Sequence, residues 1–407
     1  WGDLVPVTGT PVDADYVQVD GGTDFSLALR GDGSIFAWGI DTWGQISDAP
    51  QGGGFTQIAA GWWHGTALRL DGTLVSWGRD SNGQVISPPT TAGFTSVASG
   101  GDHSLALRAD GSIAAWGVDN LGQVSNRPMG TGFLQVSGGG RHSLALQADG
   151  SIVSWGRDVE GQVLDTPIGT GFTQVEGGAF YSLALRADGS IVAWGEDQFG
   201  QVSNVPQEVG FVDVSAGNWH AMALRGDGTI VSWGTDFDGA VSLTPSARGY
   251  TQIAGGVYHS LALGPEPIGA RYCDPAVTNS SGAPGSLGAF GSVAVAENLV
   301  ILSASSLPIN QFGFFLNGTA SGLISMPGGS AGHLCVSASI GRYNRNSEIF
   351  FTGPRGKGGL TLDLNDTPTP SGRVSVVAGE TWYFQGWFRD TVNMTSNFTN
   401  GVQVVFE

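Results

Sequence analysis

Basic residues are scarce in this 407-residue chain: lysine occurs once, at Lys357, and 17 basic side chains face 35 acidic ones, for a formal net charge of −18. A field of that sign opposes nucleic acid and anionic membrane, so neither is an expected partner. No run of 18 apolar residues occurs, which excludes a membrane-spanning helix. No signal peptide is visible, but a mature exported chain would also lack one, so export stays open. The only cysteines are Cys273 and Cys335, both in the last third. Such a pair is expected to close a disulfide loop in an oxidising compartment, the alternative being two reduced buried thiols. There is no Ser-His-Asp order, phosphate-cradling loop or zinc spacing, so the chain reads as non-catalytic, with no cofactor and no metal.

What the chain has instead is a repeat. Trp-Gly pairs stand at Trp38, Trp77, Trp116, Trp155, Trp194 and Trp233, each 39 residues after the last, with a further pair at Trp1. An aromatic residue opens each of seven copies, at Tyr16, Phe55, Phe94, Phe133, Phe172, Phe211 and Tyr250. Nine residues later comes His64, His103, His142, His220 or His259, replaced by Phe25 and Tyr181 in two copies. A period of this length means one supersecondary unit stacked on its neighbours. Each unit reads as three short strands, for example Phe94 to Ala98, His103 to Arg108 and Ser112 to Trp116, with Asp-Gly pairs such as Asp110-Gly111 turning the second into the third. The expected fold is all-β: a seven-bladed propeller with three-stranded blades.

The array runs over residues 1–263, and a β-sandwich is expected over 264–407, from strand-like runs such as Ser292 to Ala296, Phe312 to Leu316, Gly359 to Leu364, Val374 to Val377, Trp382 to Phe388 and Val402 to Phe406. The last copy lacks its third strand. Either Trp1-Gly2 or the segment Ile268 to Tyr272 can supply it. The first 263 residues hold 26 acidic and 10 basic side chains, so the array carries nearly all of the negative charge. Sequons at Asn279, Asn317, Asn393 and Asn397 would matter only in a glycosylating host.

The string from Gly100 to Val124, Gly-x-x-His-Ser-Leu-Ala-Leu-x-x-Asp-Gly-x-Ile-x-x-Trp-Gly-x-Asp-x-x-Gly-Gln-Val, resembles the regulator of chromosome condensation repeat. The compact 39-residue spacing is similar to that of the secreted type II β-lactamase inhibitor proteins, which implies a ring of seven short blades whose aromatic loops contact an enzyme. The segments around Leu307 to Phe315, Trp382 to Asp390 and Ser396 to Gly401 resemble a carboxy-terminal module of secreted planctomycete-type bacterial proteins, which implies an exported, surface-associated chain.

The repeated histidines, one per blade, stand too far apart to share an ion and read as packing residues with a backbone hydrogen bond. Asp41, Asp80, Asp119, Asp158, Asp197 and Asp236 read as turn residues whose oxygens accept nearby amides. If strands one, two and three run up, down and up, the loops after strands one and three share a face. That face carries the candidate binding residues Trp43, Trp62, Trp63, Asp102, Arg141, Phe180, Phe199, Trp219, Phe237 and Tyr258. The alternative is that these rings fold inward onto the channel or a neighbouring blade. Three roles follow: a secreted or cell-surface module that binds a protein or a glycan, a self-associating subunit of an extracellular filament or surface layer, and a secreted enzyme inhibitor.

Overall fold

In the computed structural model the described residues are all except 1–14, 246–247, 265–266, 269, 273–278, 282–284, 292, 299, 306, 309, 326–332, 346, 353–357 and 392–394. Contacts divide the chain into two units, Trp1–Gly264 and Pro265–Glu407. Among the described residues the only helical elements are two single 3₁₀ turns, Phe237–Gly239 and Val295–Glu297.

The first unit repeats one design. Strands β1 (Tyr16–Gly21), β2 (Phe25–Arg30) and β3 (Ile35–Gly39) form an antiparallel sheet, and residues 55–78, 94–117, 133–156, 172–195 and 211–234 repeat it. A seventh sheet has two described strands, Gln252–Gly255 and Ser260–Leu263. The hairpin between β2 and β3 explains the Asp-Gly pairs. Arg30 N donates to Ser34 O, Gly33 N donates to Arg30 O, and Asp32 Oδ1 accepts from Ser34 N. Only Gly33 takes a positive φ, 79°. This is the three-residue loop in which a left-handed glycine follows a type I turn, not the mirror-image turn that needs two such residues.

The tryptophans hold each sheet to the one before it. Trp77, Trp116, Trp155, Trp194 and Trp233 are buried, and each indole Nε1 donates to the carbonyl of the glutamine 32 residues earlier, at 2.9–3.1 Å. The glycine after each is also required: a Cβ on Gly78, at φ 93°, would lie 2.8 Å from Trp63 O. The rings pack on the preceding sheet, Trp77 against Phe25, Leu27 and Leu29, and Trp155 against Leu105 and Leu107. Trp38 packs instead on Ala254 and Leu261 of the seventh sheet. The series returns to its start, because Val19 N also donates to Gln252 Oε1 and Val257 N to Gly22 O.

Segment Ile268 to Tyr272 does not complete the seventh sheet. Pro267–Ile268 pairs with Ser286–Gly291, and Ala270–Tyr272 pairs with Thr395–Val405, so both strands belong to the second unit. The other expected partner, Trp1-Gly2, lies outside the described residues.

The second unit contains a four-stranded sheet, with Ser286–Gly291, Val300–Ser305 and Gly358–Leu362 among its strands, and a six-stranded sheet that includes Phe312–Gly318, Thr381–Asp390 and Thr395–Val405. Side chains of both sheets share one core, with Leu287 and Leu302 from the first and Phe315, Phe384 and Val404 from the second. Two expected strands differ: Val295–Glu297 is a 3₁₀ turn, and the strand expected at Val374 to Val377 ends at Val374, as Gly372–Val374. Of the expected disulfide pair, Cys335 is buried, and Cys273 lies outside the described residues.

The conspicuous polar residues of this unit are internal struts. Gln385 Oε1 accepts from Cys335 N, and its Nε2 donates to His333 O and Thr399 O. Asn400 Oδ1 accepts from Leu287 N, tying the two sheets together. Sequon residues Asn279, Asn317 and Asn397 are buried, which removes them as glycan acceptors, and Asn393 lies outside the described residues.

Candidate functional site

The repeated histidines are fully enclosed and spent on the ring itself. His64 Nε2 lies 2.8 Å from Ser104 Oγ of the next sheet, and the pattern recurs at His103 with Ser143, His142 with Ser182, His220 with Ser260, and His259 with Ser26. Burial drives their pKa values down to about 3 or 4, so all five are neutral. Where the histidine is missing, so is its partner. Phe25 faces Gly65, and Tyr181, which donates to the carbonyls of Gly217 and His220, faces Ala221. The histidines bond a serine hydroxyl where a backbone partner was expected.

The six repeated aspartates hold loops. Asp158 Oδ1 accepts from Val163 N and Leu164 N at 3.0 and 2.9 Å, and Asp41, Asp80, Asp119, Asp197 and Asp236 do the same five and six residues ahead. Among the described residues no three His, Cys, Asp or Glu side chains converge as metal ligands.

The loops after the first and third strands do share a face. Arg79 N donates to Trp63 O, Val118 N to Asp102 O, Arg157 N to Arg141 O, Glu196 N to Phe180 O and Thr235 N to Trp219 O. On this face Trp43 and Phe237 are 51% and 55% exposed, Arg141 is exposed, and Trp63, Asp102, Phe180, Phe199, Trp219 and Tyr258 are half-buried. Arg79 lies over the Trp43 ring at 5.5 Å. Arg157 lies over Phe180 at 4.4 Å and pairs with Glu160 at 2.6 Å. Phe199 meets Phe237, and Trp219 meets Tyr258, both at 5.9 Å between ring centres. Asp102 accepts from Gln84 Nε2, and burial raises its pKa against the pull of Arg79 and Arg141.

Trp62 takes the inward course. Its Nε1 donates to Asn218 Oδ1 across the ring at 3.1 Å, and its indole lies over Gly101 and Gly140, where a Cβ would sit 2.9 and 2.8 Å away. The glycines that replace aromatics in those two loops are therefore the bed on which Trp62 rests.

Below Trp62, the first strands line a cavity of about 250 Å³ whose polar lining includes Gln18, Asp20, Gln135, Glu176 and Asp213. The glutamines clasp the neighbouring strand: Gln18 Nε2 donates to Ile58 O and its Oε1 accepts from Ile58 N. Glu176 accepts from Ser137 Oγ at 3.3 Å. Enclosure by protein pushes Glu176 up to about 8, with Asp213 and Asp20 adding repulsion, and pushes Asp20 up to about 6. Neither was an expected site residue. The signal was an acid in a column otherwise made of Ala59, Ala98, Ser137, Ser215 and Ala254.

The family described as the Regulator of chromosome condensation (RCC1) repeat matches residues 55–84, 94–123, 133–162, 172–201 and 211–240. No curated protein sequence matches the chain. Similar solved structures include Saccharomyces cerevisiae Prp20p, reported with its binding properties to Gsp1p and histones (TM-score 0.51, 21% identity, 61% of this chain and 82% of that one). The CRINKLY WD40 ectodomain of the Arabidopsis thaliana receptor kinase ACR4 aligns with TM-score 0.50 and 23% identity over 60% of this chain and 87% of its own. The entire ectodomain of the Physcomitrella patens receptor kinase CR4 aligns with TM-score 0.52 and 18% identity over 89% of this chain and 98% of its own. At these identities the likeness establishes the fold alone, an all-β array of repeated three-stranded propeller blades.

Proposed function

We propose that this chain is a non-catalytic, exported binding protein, in which a seven-bladed propeller presents its loop face to a protein partner and a β-sandwich follows. The observation that carries the reading is the division of labour in the repeat. The recurring histidines, aspartates and tryptophans are consumed by the scaffold, whereas the loop face varies from blade to blade and exposes Trp43 and Phe237. Variable loops on a rigid scaffold suit recognition. The neighbours support a binding role, since Prp20p is described by what it binds and two others are receptor ectodomains.

The test is a Trp219→Ala, Phe237→Ala double variant compared with wild type for partner capture from the native extracellular fraction, with Tm recorded for both. Loss of specific partners at unchanged Tm is expected. Unchanged capture, or a large fall in Tm, contradicts the reading. A second reading, self-association, is favoured by Phe312, Ile349 and Phe351, which lie together on the second unit at 58%, 41% and 51% exposure. Light scattering at rising concentration tests it; a chain that remains monomeric argues against it.

A further inference from the structure

Two of the three arginines of the loop face lie on aromatic rings, and the third, Arg141, is exposed. Arg79 covers Trp43 and Arg157 covers Phe180, each guanidinium lying on an aromatic ring. Five more arginines, such as Arg108 over Phe94, repeat the arrangement elsewhere in the array. Two aromatic pairs of the loop face, Phe199 with Phe237 and Trp219 with Tyr258, have no arginine over them among the described residues. They adjoin each other through the Thr235 N–H on Trp219 O. The charged residues flanking Phe199 and Phe237 in sequence are acids, Asp197 before Phe199 and Asp236 and Asp238 on either side of Phe237, while Glu196 also feels the charge of Arg157. Asp197 and Asp236 are held below the usual carboxylate range by backbone N–H donors, against some desolvation, so both stay charged. Asp238 is exposed.

The charge is also segregated. On the hairpin side, Arg30, Arg69, Arg108, Arg186 and Arg225 nearly balance the Asp-Gly aspartates, whereas on the loop face Arg79, Arg141 and Arg157 stand against the six repeated aspartates together with Asp24, Asp102, Glu160, Glu196 and Asp238. Aromatic faces attract cations, and flanking carboxylates strengthen the attraction. We infer that the Phe199, Phe237, Trp219 and Tyr258 group is the docking site for an arginine- or lysine-bearing segment of a partner protein, whose cations take the place that Arg79 and Arg157 fill on the other half of the face. This rests on the binding-face reading above and names the chemistry of its partner.

The experiment titrates the full chain with a fluorescent peptide of alternating Arg and Gly, and with peptides carrying Ser or Glu in place of Arg. Saturable binding of the Arg peptide alone is expected. Trp219→Ala with Phe237→Ala should weaken it about tenfold or more, and Asp238→Asn a few-fold; Asn tolerates the left-handed backbone at that position (φ 55°). Leu70→Ala, at an exposed hairpin on the other side of the array, should leave it unchanged. Thermal melts of each variant separate lost binding from lost fold. Absence of Arg-peptide binding, equal binding of the Glu peptide, or an equal effect of Leu70→Ala overturns the inference. If the Ser or Glu peptide binds and the double variant abolishes it, the binding face stands and its cationic partner falls. If the Arg peptide binds and no face variant matters, both fall.

Discussion

Each histidine latch joins two blades through one hydroxyl, so its two residues are worth little apart. His142→Tyr alone leaves Ser182 Oγ buried without the imidazole at 2.8 Å and crowds it, at an expected cost of about 1–3 kcal/mol. Adding Ser182→Ala rebuilds the pairing that Tyr181 and Ala221 already make, and should recover most of that loss. A double-mutant cycle by denaturant unfolding checks this; equal losses in the single and double variants would contradict the latch. The same correlation was present in the sequence, in Phe25 with Gly65 and Tyr181 with Ala221, at positions 40 residues apart.

The Trp-Gly strand works as a staple between neighbouring sheets. Trp155→Phe keeps most of the packing but removes the donor to Gln123 O, at an expected cost of about 1–3 kcal/mol, and Trp155→Ala should cost about 3–5 kcal/mol because a cavity is added. Chemical denaturation of both variants ranks the two contributions; a Trp155→Phe variant as stable as wild type would mean the indole N–H does nothing. Elements of this kind were legible in the sequence because period, turn dipeptide and apolar alternation agree in six of the seven copies. The second unit offers no repeat to average over. The 3₁₀ turn at Val295–Glu297 and the strand Ser286–Gly291 look alike in composition, so neither was separable by pattern. The shared loop face was legible from strand direction alone, which put both loop sets at one end. The course of Trp62 was not, since it depends on Gly101, Gly140 and Asn218, which only ring closure brings within reach.

At the scale of the whole ring, opposing buried groups set the pH range of stability. The five histidines have folded pKa values far below the 6.5 of free histidine, so their contribution is full above pH 6.5 and is lost as pH falls toward 4 and 3. Glu176 is raised from 4.5 to about 8, so its contribution is full below 4.5 and is lost as pH rises through 8. The Tm should therefore peak near pH 6.5, fall steeply on the acid side and gently on the alkaline side. Glu176→Gln should flatten the alkaline limb and add about 1–2 kcal/mol at pH 8, after allowance for water in the channel. An unchanged alkaline limb would mean that enclosure in the channel does not raise Glu176.

Recognition by the loop face makes one demand that neither scaffold chemistry nor charge can imitate: contact must occur at that end of the ring and not the other. A photo-reactive phenylalanine analogue placed at Phe237 on the loop face, and separately at the exposed Asp110 of a hairpin, reports this in the native extracellular fraction. Discrete crosslinked species from position 237 and none from position 110 are expected. Crosslinks from position 110 alone, or equally from both, would contradict the assignment of function to the loop face.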